Sequence, residues 1–154
     1  KALSGSPNLK SIEYLDLGEN GLGTEGAKAL AQSPNMKKLK FLRLKNNDIQ
    51  DAGISEMAKS KYFTSLEHLF LENENWIHSE GAKSIAVSTA FPLLRTLVLT
   101  LNVIGDEGAF HLAGDNNLNS LEQLNVAGNK ISSRGEDALR NSPHLQHLKN
   151  LELV

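Results

Sequence analysis

Residues 39–49 read Leu39-Lys40-Phe41-Leu42-Arg43-Leu44-Lys45-Asn46-Asn47-Asp48-Ile49, the phrase L-x-x-L-x-L-x-x-N-x-I. It returns as Leu94-Arg95-Thr96-Leu97-Val98-Leu99-Thr100-Leu101-Asn102-Val103-Ile104. Copies open at Ile12, Leu39, Leu66, Leu94, Leu121 and Leu148, at successive intervals of 27, 27, 28, 27 and 27 residues. So regular a period marks a stacked repeat, in which each unit buries its apolar face only against its neighbours. The longer interval has a local source. Leu71-Glu72-Asn73-Glu74-Asn75 carries one more residue between strand and asparagine than the other copies do.

Each copy continues into a second phrase, seen in Gly26-Ala27-Lys28-Ala29-Leu30-Ala31 and again in Gly108-Ala109-Phe110-His111-Leu112-Ala113. Here apolar residues fall at i, i+3 and i+4, so the period switches from two to 3.6 and a short strand gives way to a helix. Two residues before each glycine stand Thr24, Asp51, Ser79, Asp106 and Ser133. Side chains of this type accept hydrogen bonds from a free first helical turn, and the column is expected to be the N-cap, with Ser133 and Glu136 at capping-box spacing. Helix ends are expected near Ser33-Pro34, Gly114 to Asn117 and Ser142-Pro143. A strand–helix–strand unit this short crosses over right-handedly and leaves its strands parallel. The expected fold is therefore α/β: a right-handed solenoid with a curved parallel sheet on the concave face and α-helices on the convex face.

One domain over 1–154 is expected, with five full repeats starting near 12, 39, 66, 94 and 121 and partial repeats at both ends. The chain opens on Lys1 and stops at Leu151-Glu152-Leu153-Val154 inside the repeating pattern, which suggests a piece of a longer protein. With 16 basic and 18 acidic residues there is no global positive field of the kind that drives phosphate binding, so nucleic acid is a poor partner. The absence of cysteine excludes disulfides, thiolate metal sites and a cysteine nucleophile. No apolar run approaches the ~20 residues of a membrane span, and Lys1-Ala2-Leu3-Ser4 has no signal-like apolar core. A soluble protein is expected, cytoplasmic in preference, with the compartment otherwise open.

Within a unit the leucines at 15, 17, 42, 44, 69, 71, 97, 99 and 124, together with Val126, should face the helices and form the core. Asn20, Asn47, Asn75, Asn102 and Asn129 stand where the chain leaves the sheet, and an amide can both donate to and accept from backbone groups of a buried turn. They are expected to form a structural ladder. The glycines at 26, 53, 81, 108 and 135 should let neighbouring helices approach closely.

The strand residues between the leucines face away from the core and define a concave surface. The candidate partner-binding residues on it are Tyr14, Asp16, Phe41, Arg43, Lys45, His68, Phe70, Glu72, Thr96 and Val98. Tyr14, Phe41 and Phe70 fall on neighbouring strands in a chain only 5% aromatic, and aromatic and arginine anchors dominate protein interfaces. The competing reading is that these rings only pack on one another and stabilise the sheet. Trp76, the single tryptophan, follows the insertion, either as an exposed loop anchor or as cover for the space the extra residue opens.

Together these phrases resemble the ribonuclease-inhibitor-like class of leucine-rich repeat proteins, whose units carry N-x-I/L-x-x-x-G-A-x-x-L-A. The resemblance spans nearly the whole chain. The pieces Ser6 to Leu9, Ser33 to Met36 and Ser142 to Leu145 look like bacterial members of that class. The inhibitor itself is longer and rich in cysteine, so ribonuclease binding does not carry over. The resemblance implies a noncatalytic module that binds a protein partner on the concave sheet, without a cofactor. The alternatives are a substrate-recruiting segment of a larger effector or ligase, and a structural segment that self-associates through its open sheet edges. One branch of the class activates GTPases, but no residue here singles out that role.

Other chemistry is weaker. Gly21-Leu22-Gly23-Thr24-Glu25-Gly26 has dinucleotide-fingerprint spacing, but its equivalents in the next repeat are Asp48, Gln50 and Gly53, so the match comes from one recurrent glycine and two local ones. His144 and His147 lack a third metal ligand at sensible spacing, and the acidic stretch Glu72 to Asn75 lacks the alternation and glycine of a calcium loop.

Overall fold

The computed structural model describes residues 11–114 and 117–154; the Ser6 to Leu9 piece, Asp115 and Asn116 lie outside the described residues. Six strands form one sheet in sequence order, every pair parallel. They are β1 (Tyr14–Asp16), β2 (Phe41–Arg43), β3 (His68–Phe70), β4 (Thr96–Val98), β5 (Gln123–Asn125) and β6 (Asn150–Glu152). Between them lie α1 (Gly23–Ala31), α2 (Gln50–Ala58), α3 (Ser79–Ala86), α4 (Gly105–Ala113) and α5 (Ser133–Arg140). Strands in a sheet repeat about every 4.8 Å, whereas packed helices need about 8–10 Å, so stacking the two layers bends the solenoid with the sheet inside.

The core lies between the layers. Leu42, Leu44, Leu69, Leu71, Leu97 and Leu99 are fully buried, as are Ile54, Ile85 and Leu112 from the helices. Leu17, in the first repeat, is only partly buried. Glycine sets the spacing of the helix layer: a Cβ at Gly108 would lie 3.2 Å from the Ala82 Cβ, and one at Gly81 would lie 2.5 Å from the Asp51 carboxylate.

The expected N-cap column behaves differently. The caps of α1, α2 and α4 are Leu22, Ile49 and Ile104, with no side-chain capping bond, and Thr24, Asp51 and Asp106 lie one residue inside their helices. The first N–H groups of these helices, on Gly23, Gln50 and Gly105, instead donate to the backbone carbonyls of Asn47, Asn75 and Asn129 in the following repeat. That frees the side chains to reach across repeats. Asp51 Oδ1 accepts from the His78 amide at 2.7 Å, Asp106 accepts from both the amide and the hydroxyl of Ser132 at 2.7 Å, and the Thr24 hydroxyl donates to the Ile49 carbonyl. The hydrogen bonds from Ser132 hold the Asp106 carboxyl below the usual carboxylate range. In α5 the cap is Ser132, whose hydroxyl accepts from the Arg134 amide; Ser133 is already helical, so no capping box forms with Glu136.

The helix C-termini carry a serine column. The hydroxyls of Ser60, Ser88 and Ser142 donate to the carbonyls of Ala31, Ala58 and Ala113 one repeat earlier, and accept from amides two residues on. Each serine thus satisfies a carbonyl that its own helix cannot.

Candidate functional site

The concave face follows from the register. Tyr14 pairs with Phe41, Phe41 with His68, His68 with Thr96, Thr96 with Gln123 and Gln123 with Asn150, so one side chain per repeat forms a continuous row. At its start the rings meet. Tyr14 and Phe41 stack with centroids 4.2 Å apart and planes 9° from parallel, and Phe41 lies 5.0 Å from Phe70 in the adjoining row. Tyr14 remains 61% exposed, while Phe41, His68 and Phe70 are half-buried.

Further along, the row becomes a hydrogen-bonded chain. His68 Nδ1 lies 3.0 Å from the Thr96 hydroxyl, which in turn donates to Gln123 Oε1. Thr96 is buried between them, 7% exposed. In the adjoining row Asp16, Arg43, Phe70, Val98, Asn125 and Glu152 align, and the Asn125 amide donates to the Glu152 carboxylate.

Arg43 ties the aromatic end together. Its Nε donates to Glu72 Oε1 at 2.7 Å, and a terminal nitrogen lies 3.7 Å from the Asp16 carboxylate. The Glu72 hydrogen bond holds the guanidinium more firmly protonated than usual. Glu72 is itself buried, and its Oε2 has no hydrogen-bond partner. Arg43 is therefore both a surface group and the counter-charge of a buried acid. Lys45 pairs with Glu19 at 2.7 Å.

Where the chain leaves the sheet, four asparagines are buried: Asn47, Asn75, Asn102 and Asn129. Asn75 Oδ1 accepts from the amides of Asn47 and Ile49, and its Nδ2 donates to the carbonyls of Leu44 and Leu71. Asn129 likewise accepts from Ile104 and donates to Leu99 and Val126. Asn20 is exposed: its side-chain amide donates within its own turn, to the Leu17 and Gly18 carbonyls, while its backbone N–H donates to Asn47 Oδ1. Trp76 follows the third of these turns, 51% exposed, and lines a cavity of about 370 Å³ with Asn73, Glu74, Leu101, Gly128 and Lys130 among its other walls.

A model of the leucine-rich repeat matches residues 8–31, 35–58, 92–113 and 117–139, more than half of the chain. The chain belongs to the leucine-rich repeat family. The stretch between the second and third matches holds the insertion and Trp76 of this leucine-rich repeat chain. Leucine-rich repeats commonly serve as protein-interaction modules, and the family is typically noncatalytic. No individual curated protein matches the chain. Among the described residues no helix is long and apolar enough to cross a membrane, and no group of three His, Asp or Glu side chains could hold a metal ion.

One feature of this leucine-rich repeat was missed in the sequence although its spacing is visible there. The residues just before the strands, Glu13, Lys40, Glu67, Arg95, Glu122 and Lys149, alternate strictly in sign. They pair along the solenoid: Lys40 with Glu13 at 2.9 Å, Arg95 with Glu122 at 2.6 Å and Lys149 with Glu122 at 2.8 Å. Lys40 holds the Glu13 carboxyl below the usual range, and Lys149 does the same for Glu122. The row neutralises itself and leaves the concave face bounded by compensated charge.

Proposed function

We propose that the chain is a noncatalytic module that binds a protein partner on the β1–β3 half of its concave face, through Tyr14, Phe41, His68 and Phe70, with Asp16, Arg43 and Val98 beside them. The observation that carries this reading is the ring cluster itself. Tyr14 stays largely exposed while its inner face is stacked on Phe41, so its contact surface is held in place before any partner arrives. Binding to such a surface loses little side-chain entropy, and rigid aromatic groups are the usual anchors of protein interfaces. Glu72 and Thr96 are buried and hydrogen-bonded to Arg43 and His68, which they position. Full α-helices of eight or nine residues in every unit support the ribonuclease-inhibitor-like class for this solenoid.

The test is capture of partners by the chain beside a Phe41→Ser/Phe70→Ser variant of unchanged circular dichroism, with the complex then rebuilt from purified components. Arg43 is left intact because removing it would strand the buried Glu72 carboxylate. A partner held by the parent chain and weakened at least about thirtyfold by the variant, some 2 kcal/mol, supports the proposal. Partners held equally by both would transfer the function to another face.

A further inference from the structure

The turns that leave the sheet use a fixed backbone pattern. The residue before each ladder asparagine is left-handed: Glu19 at φ 62°, Asn46 at 50°, Glu74 at 45°, Leu101 at 55° and Gly128 at 70°. So is the residue after it in four repeats: Gly21 at 58°, Asp48 at 54°, Trp76 at 52° and Lys130 at 57°. This conformation suits glycine and asparagine and strains most other side chains by about 1 kcal/mol or more. Seven of those nine positions carry a polar residue or glycine; Leu101 and Trp76 are the two bulky apolar exceptions.

Both exceptions are exposed, 57% for Leu101 and 51% for Trp76, and both line the cavity of about 370 Å³ at this rim. Its floor includes Gly128, where a Cβ would lie 2.7 Å from Leu101 Cδ2. Glu74 and Lys130, from repeats on either side of Leu101, line the same cavity; both are exposed. Neither makes a salt bridge among the described residues. Strain at two positions that converge on one open apolar cavity is a mark of a binding site, because the fold alone would be served by the residues found in the other repeats.

We propose that this rim groove is a second binding site, separate from the concave face, that takes a peptide segment of a protein partner: one aromatic or long aliphatic side chain between Trp76 and Leu101, with a basic group toward Glu74 and an acidic group toward Lys130. The apolar walls desolvate the anchor, and the two charges fix which way the segment lies.

The test uses short random peptides displayed for selection on the whole chain, with Trp76, its single tryptophan, as the reporter. Enriched peptides should carry an apolar residue flanked by one basic and one acidic residue. A synthetic peptide of that sequence should shift Trp76 emission on binding. Leu101→Asn places at this turn the residue that Asn46 supplies in the second repeat. It should leave the folded midpoint unchanged or raised while weakening the peptide at least about tenfold. Phe41→Ser/Phe70→Ser should not affect it, so loss of this site and loss of the concave site are distinguishable. The proposal is overturned by no enrichment, by peptides without the charge pattern, by binding indifferent to Leu101→Asn, or by a lowered midpoint in that variant, which would make Leu101 a packing residue.

Discussion

The two halves of the concave face share one backbone and differ in what stands on it. From β1 to β3 the outward rows carry Phe41 packed against both Tyr14 and Phe70, with Arg43 bound between Asp16 and the buried Glu72. From β4 to β6 the same rows carry Thr96, Gln123 and Asn125, spent largely on hydrogen bonds to one another and to neighbouring strands. Beneath both, buried leucines and the buried asparagines Asn47, Asn75, Asn102 and Asn129 recur from repeat to repeat. The contrast teaches that the scaffold repeats because each unit must fit the next, whereas outward positions escape that demand and are free to differ. Function is to be sought where the repeat breaks its own pattern.

If the halves share a scaffold, removing a buried ladder amide should cost the same in each. Asn75→Ala and Asn129→Ala are each expected to lose about 3 kcal/mol in chemical denaturation, because each strands several buried backbone groups. Asn20→Ala, at the exposed end of the ladder, should lose less than about 0.5 kcal/mol. A large difference between Asn75 and Asn129 would break the idea of a uniform scaffold.

The faces themselves should respond unequally. Phe41→Ala removes a stacked ring and is expected to cost about 1–2 kcal/mol of stability, whereas Gln123→Ala should stay within about 0.5 kcal/mol. Equal losses on thermal melting would mean that the aromatic half is no more cohesive than the polar half.

The smallest effect belongs to the charge row and the inter-repeat aspartate. Glu13, Glu122 and Asp106 have carboxyls lowered by their partners, so their contribution is present above the unfolded carboxylate range and fades as pH falls through the lowered values. Stability should therefore decline modestly on acidification, and Glu122→Gln should flatten part of that decline. A melting temperature that rises toward acid pH would contradict the assignment. Because these groups lie at the surface, salt should weaken the same effect.

Much of this was legible along the chain. The period, the strand–helix alternation, the inward leucines and the outward rows all follow from spacing, because a period of two and a period of 3.6 place side chains on faces without reference to anything distant. The capping column was misread for a reason that is equally physical. Thr24, Asp51 and Asp106 have the right chemistry for capping, but their helices start one residue earlier, at Gly23, Gln50 and Gly105, whose N–H groups donate to carbonyls of the next repeat, about 25 residues away in sequence and adjacent in space. The serine column and the alternating charge row were visible as recurrences but acquire meaning only when the neighbouring repeat is laid beside them.

The sequence by itself determined the repeat, its length, and the sheet and helix layers, since these depend on local periodicity and on burying one apolar face per unit; Glu72 and Thr96, read from it as surface residues, are buried. Only the tertiary structure decided which side chains touch. Parallel register placed Tyr14 on Phe41 and Thr96 between His68 and Gln123, and brought Arg43 within reach of Glu72. The extra residue of the third turn lies beside Trp76, which shares a cavity with Leu101 across a repeat boundary. Contacts between residues 27 or 28 apart are set by the stacking of whole units, and no local pattern encodes how two side chains on neighbouring units will meet.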